Sequence, residues 1–211
     1  MLRLEHAFLF SSAKYLTSGG ILANDTIMDK VNVVAISGAS GSGKTSVVKQ
    51  LKSHFSCPGI HFDDYVNESS YPEDMKEWLR NGADVSDIKT PNMLYTLQTL
   101  GVQKHLYIFV EEPFGKQRAC MAPWIDYVVL LDIPLDICLS RIMKRHIRGN
   151  FNNTNNMLNE YLDKYEDHMR EIYIKTVNQV RSNCDLIVSN SNSVADIVDT
   201  IDEWLRSAVD L

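Results

Sequence analysis

The chain is 211 residues long, enough for one domain with a sizeable core and short for two. Its composition, 45% hydrophobic and 23% charged, is that of an ordinary globular protein, and its formal net charge of -6 argues against a protein built to grip nucleic acid. No apolar run approaches the roughly 20 residues that cross a bilayer, so neither nucleic acid nor membrane is an expected partner.

The opening Met1-Leu2-Arg3-Leu4-Glu5-His6 has the look of a signal peptide, but the apolar Ala7-Phe8-Leu9-Phe10 is too short and Lys14 soon follows. A cytoplasmic protein is expected. Cys57, Cys120, Cys138 and Cys184 are widely spaced with no C-x-x-C pair, so they read as buried cytosolic thiols and not as a disulfide frame or zinc site. Residues 1–27 carry no nameable motif and form an N-terminal extension of unclear role. Either it stems from an upstream start codon, with Met28 standing just before the domain, or it is a short helix on a sheet edge.

From residue 31 the organisation becomes legible. Val31-Asn32-Val33-Val34-Ala35-Ile36-Ser37 has the length and composition of a buried strand. It runs into Gly38-Ala39-Ser40-Gly41-Ser42-Gly43-Lys44-Thr45, which satisfies the phosphate-binding pattern G-x-x-x-x-G-K-[ST]. Behind the loop, Val47, Val48, Leu51 and Phe55 recur at helical spacing. Strand, loop and helix are the context the motif needs: glycines let backbone N–H groups curl around phosphate oxygens, and the helix N-terminus adds partial positive charge. The nucleotide-binding positions are therefore Gly38, Ala39, Ser40, Gly41, Ser42, Gly43, Lys44, Thr45 and Ser46. Lys44 is expected to reach the terminal phosphates of ATP, and Thr45 to ligate Mg²⁺.

Further along, Pro58-Gly59-Ile60-His61-Phe62 reads as a short second strand ending at Asp63-Asp64-Tyr65. Residues 66–92 are polar and turn-rich, with a helical patch around Met75, Trp78 and Leu79, and a helix is expected from Pro91 to Leu100. Leu106 to Val110 is a buried strand terminating at Glu111-Glu112-Pro113, and Tyr127 to Leu131 is another, closed by Asp132-Ile133-Pro134. A helix from Leu135 to Ile147 is broken by an Asn-rich stretch, Gly149 to Asn159, before a further helix from about Leu158 to Arg181. Cys184 to Val188 is the last strand. The final helix opens on the S-x-x-D cap Ser193 to Asp196, and its apolar face is Val194, Ile197, Val198, Ile201, Trp204 and Leu205.

Five apolar strands alternating with helices, without a hairpin signal, predict a five-stranded parallel sheet covered on both faces, a three-layer α/β domain over residues 28–211. Ligands in such sheets bind beyond the strand C-terminal ends. Those ends carry the phosphate loop, Asp63-Asp64, Glu111-Glu112 and Asp132.

A phosphate loop alone does not distinguish kinases from GTPases or motors. Transfer of a γ-phosphoryl group to an alcohol needs a carboxylate to accept or orient the hydroxyl proton, and Asp63 is placed for that. Asp64 either shares the work or caps the following turn, and Tyr65 beside it is a substrate candidate. Glu111 ends its strand where a carboxylate would hold Mg²⁺, together with Thr45 and Asp63, whereas Glu112 alternates to the other side. Arg141, Arg145 and Arg148 lie at i, i+4 and i+7 with Lys144 close by, one basic helix face ahead of a loose loop. That pattern describes a lid, spanning about 141–160, whose guanidinium groups neutralise charge developing during transfer. Arg118 is a weaker candidate for substrate or lid contact. His61, His146 and His168 lack a partner at a telling spacing and read as structural.

The chain resembles the uridine kinase and phosphoribulokinase group of P-loop kinases, and within it the nicotinamide riboside kinases. The likeness rests on Gly38 to Thr45, on His61-Phe62-Asp63-Asp64-Tyr65 against the family's H-x-D-D-F/Y, on Val110-Glu111 against its V-E-G, and on Ile133-Pro134-Leu135-Asp136 through Arg141, Arg145 and Arg148-Gly149 against its lid sequence. Tyr161 or Tyr165 and Cys184-Asp185-Leu186-Ile187 are similar to its closing segment. The resemblance implies the P-loop NTPase fold with a helical lid, ATP and Mg²⁺ as cofactors, and Asp63 as the base. The chain departs from the family at Glu112-Pro113 and at Phe114 to Arg118, and over 66–100 it matches only through Trp78, Asp84 or Asp87, and Pro91. The expected activity is ATP-dependent phosphorylation of a hydroxyl on a small-molecule acceptor, nucleosides first. The alternatives are a nucleotide or cofactor-precursor kinase, disfavoured because only Arg80 lies between Asp63 and Glu111, and a non-catalytic ATP-binding regulator. A homo-oligomer is left open.

Overall fold

The computed structural model describes residues 31–148, 154–189 and 193–208. The expected extension over 1–27 and the part of the Asn-rich stretch at 149–153 lie outside them.

Five strands form one sheet: β1 (Asn32–Ser37), β2 (Gly59–Ile60), β3 (Tyr107–Glu111), β4 (Tyr127–Leu131) and β5 (Leu186–Val188). Every pairing is parallel and the order is β2-β3-β1-β4-β5. β1 therefore lies between β3 and β4, with Val34 opposite both Phe109 and Tyr127, and the loop after β1 opens where the chain order reverses.

Because side chains alternate across a strand, the two faces of the sheet have separate cores. Val33, Ala35, Ile108, Val110, Val128 and Leu130 face one way, against Trp78 and Leu79 of α2 (Met75–Arg80), Met93 and Leu97 of α3 (Pro91–Gly101), and Ile172 and Val180 further on. Val34, Ile36, Tyr107, Phe109, Val129 and Leu131 face the other way, against Val47, Val48 and Leu51 of α1 (Lys44–His54) and against Cys138 of α4 (Leu135–Arg148). The two faces give the three layers the apolar runs implied: a P-loop NTPase fold. A buried Leu or Ile contributes about 1.5–3 kcal/mol, so these faces are the main source of stability.

Local chemistry explains the element boundaries. Pro91 occupies the first turn of α3, where its missing N–H costs nothing. Asp74 caps α2, accepting from the N–H groups of Lys76 (2.9 Å) and Glu77 (2.8 Å). Three expectations are corrected in extent. The second strand is only Gly59–Ile60, because Phe62–Asp64 turns into a 3₁₀ segment. The helix expected from Leu158 begins at Thr154. It is also not one regular helix: α5 (Thr154–Lys164) passes through a π turn, Tyr165–Met169, into α6 (Arg170–Arg181). The last helix, α7 (Val194–Ala208), has the expected reciprocal cap, with Asp196 N–H donating to Ser193 Oγ at 3.1 Å and Ser193 N–H donating to Asp196 Oδ2 at 3.0 Å. Its Ile197, Val198, Ile201 and Leu205 complete the second core. The cysteines are free, but only Cys57 and Cys138 are buried. Cys120 is exposed and Cys184 half-buried, contrary to the reading of all four as buried thiols.

Candidate active site

The phosphate loop holds three glycines at positive φ, and at two of them a side chain would also collide with backbone. Gly38 has φ +135°, and a Cβ there would lie 2.6 Å from the Leu131 carbonyl oxygen. Gly41 has φ +83° and a Cβ would lie 2.4 Å from the Cys138 oxygen, so the loop is clamped between β4 and α4. Gly43 precedes α1 in a left-handed conformation, and the helix presents its N-terminus to the loop's concavity.

Two neighbouring acids illustrate how strand alternation sets function. Ile36 pairs with Glu111 across β1 and β3, which brings Glu111 to the mouth of the loop on the α1 side. There Thr45 Oγ1 donates to its carboxylate at 2.9 and 3.0 Å. His61 Nδ1 lies 3.5 Å from the same carboxylate, without hydrogen-bond geometry. Glu112 points to the opposite face and is fully buried.

Lys44 is buried, and its Nζ donates to the Ala39 carbonyl at 3.0 Å. Burial pushes its ammonium below the usual lysine range, while Glu111 and Asp63 pull the other way. From α4, Arg141 Nη1 donates to the carbonyls of Gly41 (3.4 Å) and Ser42 (3.2 Å).

These groups share one cavity of about 660 Å³. Its polar lining is Gly38 to Gly41, Gly43 to Ser46, Asp63, Glu111, Arg141 and Arg145. Its apolar lining includes Phe62, Tyr71, Met75, Trp78, Ile88, Phe114 and Ile172, with Tyr173 and Thr176 of α6 beside them. Lys164, His168 and Met169 line it from α5 and the π turn. An aromatic series joins α4, α5, the π turn and α6: His146 with Tyr161 (5.9 Å between rings), Tyr161 with Tyr165 (6.3 Å) and Tyr165 with Tyr173 (6.3 Å). Lys76 of α2 pairs with Asp167 in the π turn at 2.5 Å, and that pairing holds the Asp167 carboxyl below its ordinary range.

Of the residues expected at the site, Asp63, Lys44, Thr45, Glu111, Arg141 and Arg145 come together in this cavity. Arg148 does not reach it. It lines an adjacent shallow recess with Arg141, Lys144 and Arg145, as one basic helix face should. Four other expectations are corrected. Asp64 is an exposed residue of the 3₁₀ turn, and Tyr65 packs on the first core, so neither lines the cavity. Asp132 is held in an ion pair with Arg181 (2.6 Å). Arg118 is wholly buried in a pair with Glu112 and touches neither cavity nor lid.

Sequence reasoning missed Tyr71, Phe114, Tyr173 and Thr176, which come from turns and from a helix whose facing no local pattern fixes. His168 was read as structural, yet it lines the cavity with its Nδ1 2.9 Å from Asp167 Oδ2.

A family model described as an AAA domain matches residues 34–163, more than half of the chain and including the loop, Glu111 and α4. The chain belongs to that AAA-domain family. No curated protein matches it. Among solved structures, TT1252 from Thermus thermophilus is 16% identical, covering 85% of this chain and 98% of that one with a TM-score of 0.48. The shikimate kinase from Acinetobacter baumannii, in complex with shikimate, is 16% identical over 85% of this chain and 96% of its own, TM-score 0.45. The shikimate kinase from Aquifex aeolicus vf5 is 16% identical over 83% and 96%, TM-score 0.47.

The groups present fit a magnesium nucleotide. The loop's glycines leave a cradle that a Cβ would fill, and Thr45 and Glu111 offer hard oxygen donors beside it. Among the described residues no three His, Cys, Asp or Glu side chains form a metal cluster of their own. A cation here would complete its shell from phosphate and water, as Mg²⁺ does.

Proposed function

We propose that the protein is an ATP- and Mg²⁺-dependent kinase that phosphorylates a hydroxyl of a small metabolite, with a nucleoside-type acceptor first. The observation that carries this is the presence of Asp63 in the same cavity as Lys44, Thr45, Glu111, Arg141 and Arg145. A pure nucleotide switch needs the loop and a cation site but no base beside them, and Asp63 is a carboxylate in the same cavity able to serve as one.

In this reading the loop amides and Lys44 hold the ATP phosphates, and Thr45 and Glu111 hold Mg²⁺, which neutralises charge on the phosphate oxygens when bound. Asp63 accepts the proton of the acceptor hydroxyl. Arg141 and Arg145 stabilise the transferring group, and most of the rate enhancement comes from positioning and electrostatics. Lys44 is poised by its bond to the Ala39 carbonyl, which it exchanges for phosphate oxygens.

The acceptor end favours a ring without charge. Phe62, Tyr71, Trp78 and Phe114 offer flat apolar surface for stacking, and Arg118 is already neutralised by Glu112. An acceptor that already carried phosphate would meet no unpaired cation on that wall. The nucleoside preference rests on the cavity wall.

The test is ADP release from Mg-ATP against nucleosides, nicotinamide riboside, pantothenate, sugars, shikimate and nucleoside monophosphates, with Lys44→Ala as the blank. A Lys44-dependent response to a neutral acceptor supports the reading. Tight ATP binding with silence across the panel replaces it with an ATP-binding regulator.

A further inference from the structure

We propose that Arg118 is a positioning residue for the acceptor: one buried guanidinium fixes the cavity wall and, through it, Asp63. The proposal rests on the kinase reading above.

Among the described residues Arg118 is the bulkiest of the fully buried side chains. Its Nε donates to Glu112 Oε1 at 3.1 Å and its Nη2 to Glu112 Oε2. Its Nη1 donates to the Ile88 carbonyl at 3.2 Å and to Thr90 Oγ1 at 2.7 Å, and Nη2 lies 3.8 Å from Met93 Sδ. The guanidinium carbon sits 5.4 Å from the centre of the Phe62 ring and 6.0 Å from that of Phe114. Five parts of the chain meet on this one group: the end of β3, the 3₁₀ turn after β2, the loop after Pro113, the segment ahead of α3, and α3 itself.

Three of those partners, Phe62, Ile88 and Phe114, line the cavity. Phe62 is bonded directly to Asp63, and Glu112 directly to Glu111. The side chain that reaches no solvent thus lies one layer beneath both the acceptor wall and the two acids of the site. Residues 81–90 contain only a single 3₁₀ turn, Val85–Asp87. They are held by the burial of Ala83, Val85 and Ile88 and by tertiary bonds: the two from Arg118, Trp78 Nε1–H to the Asp84 carbonyl (3.0 Å), Ala119 N–H to Ser86 Oγ (3.2 Å) and Lys89 N–H to the Ser70 carbonyl (2.9 Å).

Stability does not account for such a pair. Well-packed apolar replacements of a buried ion pair are commonly neutral or stabilising. Geometry does account for it, since a planar fork with donors in fixed directions holds several acceptors at once in a way a lysine cannot.

The experiment compares the wild type with Arg118→Lys, Arg118→Met and the double variant Glu112→Leu/Arg118→Met, the last removing both charges so that folding is not lost to an unpaired buried ion. Amide hydrogen exchange is read first, with and without Mg-ATP. The expected result in the double variant is faster exchange confined to 61–65, 84–93 and 112–115, with protection of 38–46 by Mg-ATP as in the wild type. Steady-state kinetics follow, on whichever acceptor of the panel turns over fastest. Displacing the wall should lower kcat/KM for the acceptor about 100-fold. KM for ATP should stay within about twofold, since nucleotide contacts are untouched. Arg118→Lys, which keeps the charge without the fork, should show the same acceptor-side loss. Wild-type exchange at 61–65 and 84–93 in the double variant overturns the proposal, as does a parallel loss of acceptor and ATP parameters. Because the exchange arm needs no acceptor, a silent panel sinks the kinase reading while this arm still decides on Arg118.

Discussion

Glu111 and Glu112 are chemically identical neighbours with opposite surroundings, one beside Thr45 at the nucleotide end, the other locked under the acceptor wall. Burial pushes the Glu112 carboxyl above its usual range against the pull of Arg118, so the pair tolerates no loss of one partner. Glu112→Leu alone, leaving Arg118 unpaired, should cost about 3–5 kcal/mol in denaturant unfolding, far more than the double change. Asp63→Asn should lower kcat about 100-fold or more and leave the binding of a fluorescent ATP analogue unaltered, the signature of a lost general base. Lys44 supplies a pH test. Its ammonium is depressed by burial, so it is charged at low pH and loses its proton below the range of a free lysine. Mg-ATP affinity measured calorimetrically should therefore be full on the low-pH side and fall as pH rises through that lowered value, whereas Lys44→Met should show a weak and pH-independent affinity. The sequence already separated the two glutamates, because alternation along a strand needs no structure to apply. It offered Arg118 as a substrate or lid contact and missed its burial against Glu112, because a charged residue in a loop is ordinarily exposed and the chain gives no sign that Glu112, six residues earlier, lies in reach.

Among the elements, strand β4 coincides with the apolar run Tyr127 to Leu131, and α3 starts at Pro91 as its chemistry requires. Boundaries failed where tertiary contact outweighs local preference: β2 is cut to two residues by the turn that carries Asp63, and the π turn lies in a stretch whose sequence is simply helical. The contact between loop and α4 is likewise invisible in sequence, since residues 41 and 138 are distant in the chain. It makes Gly41→Ala a sharp test. With a Cβ 2.4 Å from the Cys138 oxygen and φ at +83°, the variant should lose Mg-ATP binding even where the sheet still folds, as read by near-ultraviolet circular dichroism and ligand titration. Arg141 touches the same loop through the carbonyls of Gly41 and Ser42. If it stabilises the transferring group, Arg141→Ala should reduce kcat by about 100-fold, a larger factor than its effect on KM for ATP.

For the molecule as a whole, the three-layer arrangement was legible because both faces of the sheet are covered and its strands are therefore apolar throughout. The strand order β2-β3-β1-β4-β5 was not, because pairing partners are set by packing across the sheet. Nucleotide binding bridges β1, α1, β3 and α4, so it should stabilise the fold globally. At a hundred times the dissociation constant, Mg-ATP is worth about 2.7 kcal/mol. For a domain of this size that corresponds to a rise of about 5–10 °C in the thermal midpoint. EDTA should reverse most of the rise, and Lys44→Ala should abolish it.

The π turn at Tyr165–Met169 carries one residue more than an α turn would over the same rungs. Loss of a single codon there lets the helix close as α and rotates everything on the N-terminal side by about 100° relative to α6. Ile172, Thr176 and Val180 keep α6 seated in the core, so the rotation falls on α5. Tyr161 would lose its ring contact with His146, and Lys164 would swing out of the cavity wall. One small deletion would thus reshape the helical side of the cavity in a descendant protein while its sheet, phosphate loop and Asp63 stay in place.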